Sequence, residues 1–358
     1  MDTQSTVADL PGSKDWKEHI KEIDQADIEK MVGEIHRIQT RVADKAVKPP
    51  HDAGPSFQRG FHAKGFGMPA RFIIREDVPP NLRVGFFAEG GNTFNALVRF
   101  SNAISVNRND IKPDQRGLAI RIFLIEGSTD ENVQDFLMTN TPVSFGKDAR
   151  QFLDVSSFLL ESEISAPLKI LFKFPGDLFR ILAQLTNVHS RSFASERYWS
   201  RTPFQIGEYA MKFMVQPTTD VESGGLAARY SKASKVAAKL GKRNYLRDEL
   251  KARMQDAGQS LKFDFRIQLY QNEQTTPFEN ASKEWKETDA PFASVAELEI
   301  TNPDEKEQTN LDEEIEKMAF SPWNTQDFKP LGAMNEARKL VYDQSAEKRG
   351  GCPLKLGR

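Results

Sequence analysis

Short β-rich runs recur in this chain in two groups held apart by a long helical stretch. Ala70 to Ile74, Ala96 to Ser101, Leu118 to Ile125 and Asp135 to Met138 are separated by Pro, Gly and Asn turns, and Phe263 to Tyr270 and Ala293 to Ile300 resume the pattern. In the late group Phe263, Phe265, Ile267 and Leu269 alternate with Asp264, Arg266, Gln268 and Tyr270, the two-residue period of a strand with one buried face. The even spacing of the early runs predicts an antiparallel sheet or barrel. Between the groups, Phe152 to Leu160, Leu168 to Leu185 (broken at Pro175-Gly176) and Ala227 to Arg253 read as helices. Strands on both sides of a helical insertion predict an α+β fold rather than alternating α/β.

The ends add little to this plan. Residues 1–25 read as an arm, and Ile28, Met31, Val32, Ile35 and Ile38 repeat at helical spacing within Ile28 to Val42. The division that follows is an N-terminal arm and helix over 1–50 and one domain over 51–358, with a helical insertion at about 150–255 and a terminal helix over 335–349. A charged stretch, Asn302 to Lys317, and a Pro- and Trp-containing loop, Ser321 to Gly332, precede that helix. At 358 residues, a prior of ~150 per domain gives about two domains, but a large barrel with helical additions also takes this length as one.

Composition removes several function classes. Lys plus Arg (49) nearly balances Asp plus Glu (51), so there is no basic field for nucleic acid and no polybasic signature for an anionic membrane. Cys352 is the single cysteine, which excludes an internal disulfide framework, a cysteine zinc cluster and an iron–sulfur site, and fits a reducing compartment. No segment approaches the ~20 apolar residues of a spanning helix, and the first twenty residues hold no signal-length apolar run. The expectation is a cytoplasmic protein without a transmembrane segment. The 25 Phe against 6 Tyr and 4 Trp predict an interior of flat apolar rings, suited to an ordinary core or to a pocket for a large planar cofactor.

The motifs of dinucleotide, nucleoside triphosphate, HExxH-zinc and GxSxG chemistry are absent. The histidines (19, 36, 51, 62 and 189) do not pair at metal-ligand spacing, and only His62, within Arg59-Gly60-Phe61-His62-Ala63-Lys64-Gly65, has a distinctive setting. Taken alone, a histidine in a loop is more often a surface or hydrogen-bonded structural residue. In the terminal helix, at about 100° per residue, Arg338, Tyr342 and Arg349 fall within about 40° of one another. A phenol of pKa about 10 costs roughly 4 kcal/mol to ionise at neutral pH, which a ferric ion and a neighbouring guanidinium must offset if it is to be a ligand. The other reading is a solvated face with a Tyr packed at its edge.

RGFHAKG, LVRFSN (Leu97 to Asn102), RGLAIRIF (Arg116 to Phe123), TNTPVSFGKDARQF (Thr139 to Phe152) and ARKLVY (Ala337 to Tyr342) together resemble, in order and interval, the heme catalase superfamily. The resemblance implies a catalase-like β-barrel with one heme b per chain between the barrel and the terminal helix. It implies Tyr342 as the iron ligand with Arg338 beside it, His62 as distal base and Ser101 as its supporting hydroxyl. Arg59, Arg99 and Arg349 become partners of the heme propionates, and Phe145 and Phe152 line the distal face. Guanidinium–carboxylate pairs can fix a porphyrin. A neutral imidazole can take a peroxide proton and return it to the leaving oxygen.

Two positions depart from the pattern. The paired Asn that precedes Thr-Pro in catalases is here Thr139-Asn140, so Asn140 serves as distal amide only with a small shift. Phe61 stands before His62 where true catalases carry a small Val; a catalase-related allene oxide synthase carries Thr there and rearranges fatty-acid hydroperoxides. The resemblance therefore implies a heme enzyme acting on hydroperoxides, organic or fatty-acyl ones first. A true catalase disproportionating hydrogen peroxide and a non-catalytic heme-binding or sensing protein stand as alternatives. A small-molecule hydroperoxide is the expected partner, and a homo-oligomer is open.

Overall fold

A computed structural model describes residues 7–21, 33, 37, 62, 64–103, 110, 114–126, 132–162, 164–186, 192–218, 244–256 and 260–348. Its strands are β1 (Gly65–Ile74), β2 (Thr93–Asn102), β3 (Arg116–Phe123), β4 (Val133–Thr139), β5 (Tyr198–Trp199), β6 (Phe204–Ile206), β7 (Tyr209–Pro217), β8 (Ser260–Leu269) and β9 (Phe292–Thr301). All pair antiparallel in the order β5-β4-β3-β2-β1-β9-β8-β7-β6, and β5 also pairs with β7. That last pairing closes an eight-stranded barrel, with β6 hanging on β7 as a hairpin. The early and late strand groups join where β1 lies between β2 and β9, but the stretch between them is not wholly helical as expected: β5, β6 and β7 lie within 150–255, and β5 and β7 complete the same barrel.

The surplus of Phe fills the barrel. Phe72, Phe100, Phe136, Phe213, Phe263 and Phe265 are wholly buried, and Phe136 meets Phe213 at 4.8 Å and Phe265 at 4.9 Å between ring centres. Burying one such side chain contributes about 1.5–3 kcal/mol, and tilted or edge-on ring pairs add about 0.5–1.5 kcal/mol. The alternation expected for Phe263 to Leu269 is present, those apolar residues facing inward in β8. Strand β7 gave no such sign because Ala210 to Val215 are buried on both faces, Lys212 among them.

The helices are α1 (Ala149–Glu161), α2 (Ala166–Lys173), α3 (Leu178–Thr186), α4 (Tyr245–Asp256), α5 (Glu305–Lys317) and α6 (Ala333–Lys348). Asp148 caps α1 by accepting from Gln151 N at 2.8 Å, and Asp304 caps α5 by accepting from Glu307 N at 2.7 Å, each satisfying an end group the helix cannot. The break at Pro175-Gly176 separates α2 from α3. Charged α5 is held by a narrow stripe, Leu311 and Ile315, laid on β1 where Gly67 leaves room: a Cβ there would lie 2.3 Å from Ile315 Cδ1. Of the expected helix Ile28 to Val42, only Gly33 and Arg37 are described, both helical, and the Ala227 to Arg253 stretch is described only from residue 244. No helix among the described residues is long and apolar enough to cross a membrane.

Candidate heme site

One row of the barrel wall organises the site. Ser101 of β2, Gly117 of β3 and Thr139 of β4 are direct cross-strand partners, and Trp199 of β5 continues the row. Directly paired residues project from the same face of a sheet. The next row, Phe100, Leu118 and Met138, points into the core, so Ser101 and Thr139 face outward.

His62 lies against this row. Its backbone is left-handed, at φ 57°, a conformation seldom adopted by a side-chain-bearing residue and held here from three sides. The His62 N–H donates to Ala103 O at 3.0 Å, Arg99 Nη2 donates to the His62 carbonyl at 3.0 Å, and His62 Nδ1 is 2.9 Å from Ser101 Oγ. The ring has space only because position 117 is glycine: a Cβ there would be 2.6 Å from both His62 Nδ1 and Ser101 Oγ. Behind the row, buried Arg116 donates to Asn102 Oδ1 at 2.7 Å, and Asp110 accepts from Asn102 Nδ2 at 3.0 Å and from Lys64 Nζ at 2.5 Å. This network fixes the chain just after His62.

Thr139, not Asn140, occupies the row. Asn140 Oδ1 accepts from Arg116 N at 2.7 Å and its Nδ2 donates to Glu196 Oε2 at 3.1 Å, tying down the strand end. Thr139 Oγ1 accepts a hydrogen bond from Arg201 Nε, and Arg201 Nη2 donates to Gln115 Oε1 at 2.9 Å. Arg201 is also left-handed, at φ 62°. Burial, with Arg338 beside it, pushes its guanidinium down to about 9, so it remains charged at neutral pH.

The turn that holds Arg201 is tied to the terminal helix by its neighbour Thr202, which donates to Asn335 Oδ1 at 3.0 Å, and Arg338 and Tyr342 lie within electrostatic range of Arg201. The Arg338 guanidinium lies over the Tyr342 ring, 5.6 Å from its centre, as the four-residue spacing requires. Arg338 Nη1 donates to Thr202 Oγ1 at 2.9 Å and Asn335 Oδ1 at 3.1 Å, while buried Asn335 donates to Pro203 O and Leu331 O, both at 2.9 Å. Glu279 accepts from Ala333 N and caps the start of α6. Tyr342 is half-buried, and its hydroxyl makes no hydrogen bond among the described residues.

On the helical side, Phe145 and Phe152 stack with ring centres 4.7 Å apart, and α1, which carries Phe152, touches α6. His62, Ser101, Arg99, Phe145, Phe152, Arg338 and Tyr342 thus fall on elements that converge here, with Asn140 anchoring the edge. Arg59, Phe61 and Arg349 lie outside the described residues. Gly117, Thr202, Asn335 and above all Arg201 were not singled out from the sequence. Gly117 sits inside the RGLAIRIF run; nothing local marks Arg201, whose place depends on the turn after β5.

Comparisons with known proteins bear on the family and the fold. A profile of the catalase family matches residues 55–353. The chain belongs to the catalase family. Catalase B of Staphylococcus xylosus is 24% identical over 318 residues, covering 82% of this chain and 60% of its own. Bromoperoxidase-catalase of Streptomyces venezuelae is 36% identical over 98 residues, covering 27% of this chain and 19% of its own. A solved bacterial catalase superposes with a TM-score of 0.62 at 19% identity, covering 88% of this chain and 61% of its own, which shows the shared barrel. This catalase-family chain therefore spans about 60% of the length of its full-length matches.

Catalase-family proteins bind heme iron, and the residues present fit that group. Tyr342 offers a phenolic oxygen, Arg338 a cation against its ring, Gly117 a seat for a distal imidazole, and Phe145 with Phe152 a flat apolar wall.

Proposed function

We propose that this catalase-family protein is a heme enzyme that cleaves the O–O bond of hydroperoxides and prefers organic or fatty-acyl hydroperoxides to hydrogen peroxide. The carrying observation is the His62–Ser101 pair seated at Gly117 in one row with Thr139, whose partner Arg201 stands in the turn that Thr202 ties to Arg338, beside Tyr342. A bound heme would supply the redox centre for the cleavage; Tyr342 would hold its iron with Arg338 against the phenol ring, and Arg99 would pair with a propionate. In the tautomer whose Nδ1–H donates to Ser101 Oγ, Nε2 is the basic nitrogen of His62. It takes the hydroperoxide proton and returns it to the leaving oxygen, so no external base is needed.

The substrate preference rests on two features. Thr139 stands where an amide would orient a small peroxide, and its hydroxyl accepts from Arg201, so the row offers less polar purchase to hydrogen peroxide. The stacked Phe145 and Phe152, with Phe61 beside His62 in sequence, offer apolar surface to a longer chain. An isomerase or lyase reaction draws its electrons from the substrate's own carbon, and a peroxidase reaction adds an external reductant. The names of the relatives favour the second reading, hydrogen peroxide disproportionation. The single cysteine, Cys352, supports a reducing, cytosolic setting.

The test is kcat/KM for a long-chain fatty-acid hydroperoxide and for hydrogen peroxide on one heme-loaded preparation, with oxygen release recorded and products identified by mass spectrometry. The proposal expects the larger value for the lipid and slow oxygen release. Vigorous oxygen release without lipid turnover makes the protein a catalase in the strict sense, and inertness to both makes it a heme carrier or sensor.

A further inference from the structure

Helix α2 is apolar on two sides. Ala166 and Ile170 are fully buried, Ile170 packing with Phe145, Val155 and Ile181. The opposite side carries Leu168, Leu171 and Phe172 at steps of three and one, which place them on one stripe, and Ile164 sits in the turn just before the helix. Ile164 is 94% exposed, Leu168 57% and Phe172 80%, and Phe179 at the start of α3 is 88% exposed. Lys169 and Lys173 flank the stripe one turn apart, their ammonium groups 5.7 and 5.9 Å from the Phe158 ring centre and paired with Glu161 and Asp154.

We propose that this outer face of α2, with the start of α3, docks on the surface of a phospholipid membrane. With aromatic side chains taken at about 200 Å² and aliphatic ones somewhat less, the exposed apolar area is on the order of 600 Å², at the top of what monomeric proteins show. A stable protein pair buries about 800 Å² per partner in complementary relief. Here Ile164, Phe172 and Phe179 stand out close to fully exposed, with Leu168 and Leu171 about half exposed between them. Single protruding rings and aliphatic chains suit a fluid acyl layer, where each inserts without a matching pocket.

The face carries no net charge that would repel a headgroup, since Lys169, Lys173 and Arg180 are paired with Glu161, Asp154 and Asp177, so its apolar chains carry the docking. Lysine stems beside an apolar stripe keep their charged ends at headgroup level. The proposal goes beyond the hydroperoxide reading, which it would serve by bringing the helices that pack on Phe145 to the phase where acyl hydroperoxides dissolve.

The experiment is co-sedimentation of the full chain with phosphatidylcholine–phosphatidylglycerol vesicles that contain no hydroperoxide, wild type against the Phe172→Asp/Phe179→Asp double variant. The expected result is vesicle binding by the wild type and a loss of at least tenfold in the variant, with its circular dichroism and Tm unchanged. Absence of wild-type binding, or equal binding by the variant, overturns the proposal. So does a wild-type dimer that becomes monomeric in the variant without vesicle binding, since a second copy then covers the face. Turnover of a detergent-dispersed hydroperoxide by the variant is measured separately, so failure of docking and failure of the hydroperoxide reading are told apart.

Discussion

Position 117 has no room for a methyl group, since any Cβ there would press on both the His62 ring and the Ser101 hydroxyl. Gly117→Ala should therefore leave a folded barrel but slow hydroperoxide cleavage at least tenfold, as followed by stopped-flow kinetics beside a thermal melt; unchanged kinetics would mean the ring has another seat. Removing the imidazole itself, His62→Ala, should keep bound heme and slow the same step by about two to four orders of magnitude, the usual worth of a positioned base. His62 was legible because it stands in a dense motif run, whereas Gly117, inside the RGLAIRIF run, was not singled out. Arg201 was not legible, for a left-handed arginine is defined by the loop it turns, and no local pattern encodes that. Lys212 gives a prediction independent of heme. Burial pushes its ammonium down from 10.5 to about 7, with Glu284 pulling it partly back, and its Nζ sits 4.5 Å from the Trp285 ring centre. The folded state thus holds this proton more weakly than the unfolded state, so the Lys212 contribution disfavours folding most below pH about 7. That penalty is relieved as pH rises from about 7 toward 10.5. Lys212→Met should gain about 1–3 kcal/mol in urea unfolding at pH 6, and the gain should shrink at pH 9.5.

The link between barrel and terminal helix is the element on which the site depends. Arg121 of β3 and Asp135 of β4 form a fully buried bidentate pair, both bonds at 2.8 Å. Asp135 Oδ2 also accepts from Ser321 N at 3.0 Å and Asn324 Nδ2 at 2.8 Å, and Arg121 Nη2 donates to Ala319 O at 2.8 Å. The same loop sends Trp323 Nε1 to Asn335 O at 3.0 Å, at the start of α6. Asp135→Ala leaves a buried guanidinium unpaired and should cost about 3–5 kcal/mol in chemical unfolding, with weaker heme retention because α6 loses its seat. Retained stability would show that the loop is held elsewhere. The early strands and β8 were readable because one face of each alternates or ends in a turn. Strand β7 is buried on both faces and β5 has two residues, so neither carries a period, and α5 hides its two-residue apolar stripe among charges.

For the molecule as a whole, β5 closes the barrel, and the Ser200–Thr202 turn after it sends Arg201 back to Thr139 and offers Thr202 to Arg338 of α6, so the segment that closes the fold also ties it to the terminal helix. That is why motifs far apart in the chain, RGFHAKG and ARKLVY, can serve one cofactor. The organisation could be read from the sequence because those motifs keep family order, whereas the joining turn could not, since it becomes meaningful only when the barrel is closed. The central claim is that Tyr342 holds heme iron opposite His62. Resonance Raman spectroscopy of the ferric, heme-loaded full chain tests it most directly. The account predicts iron–phenolate bands in the wild type that disappear in Tyr342→Phe while His62→Ala retains them; identical bands in Tyr342→Phe, or none in the heme-loaded wild type, would contradict it.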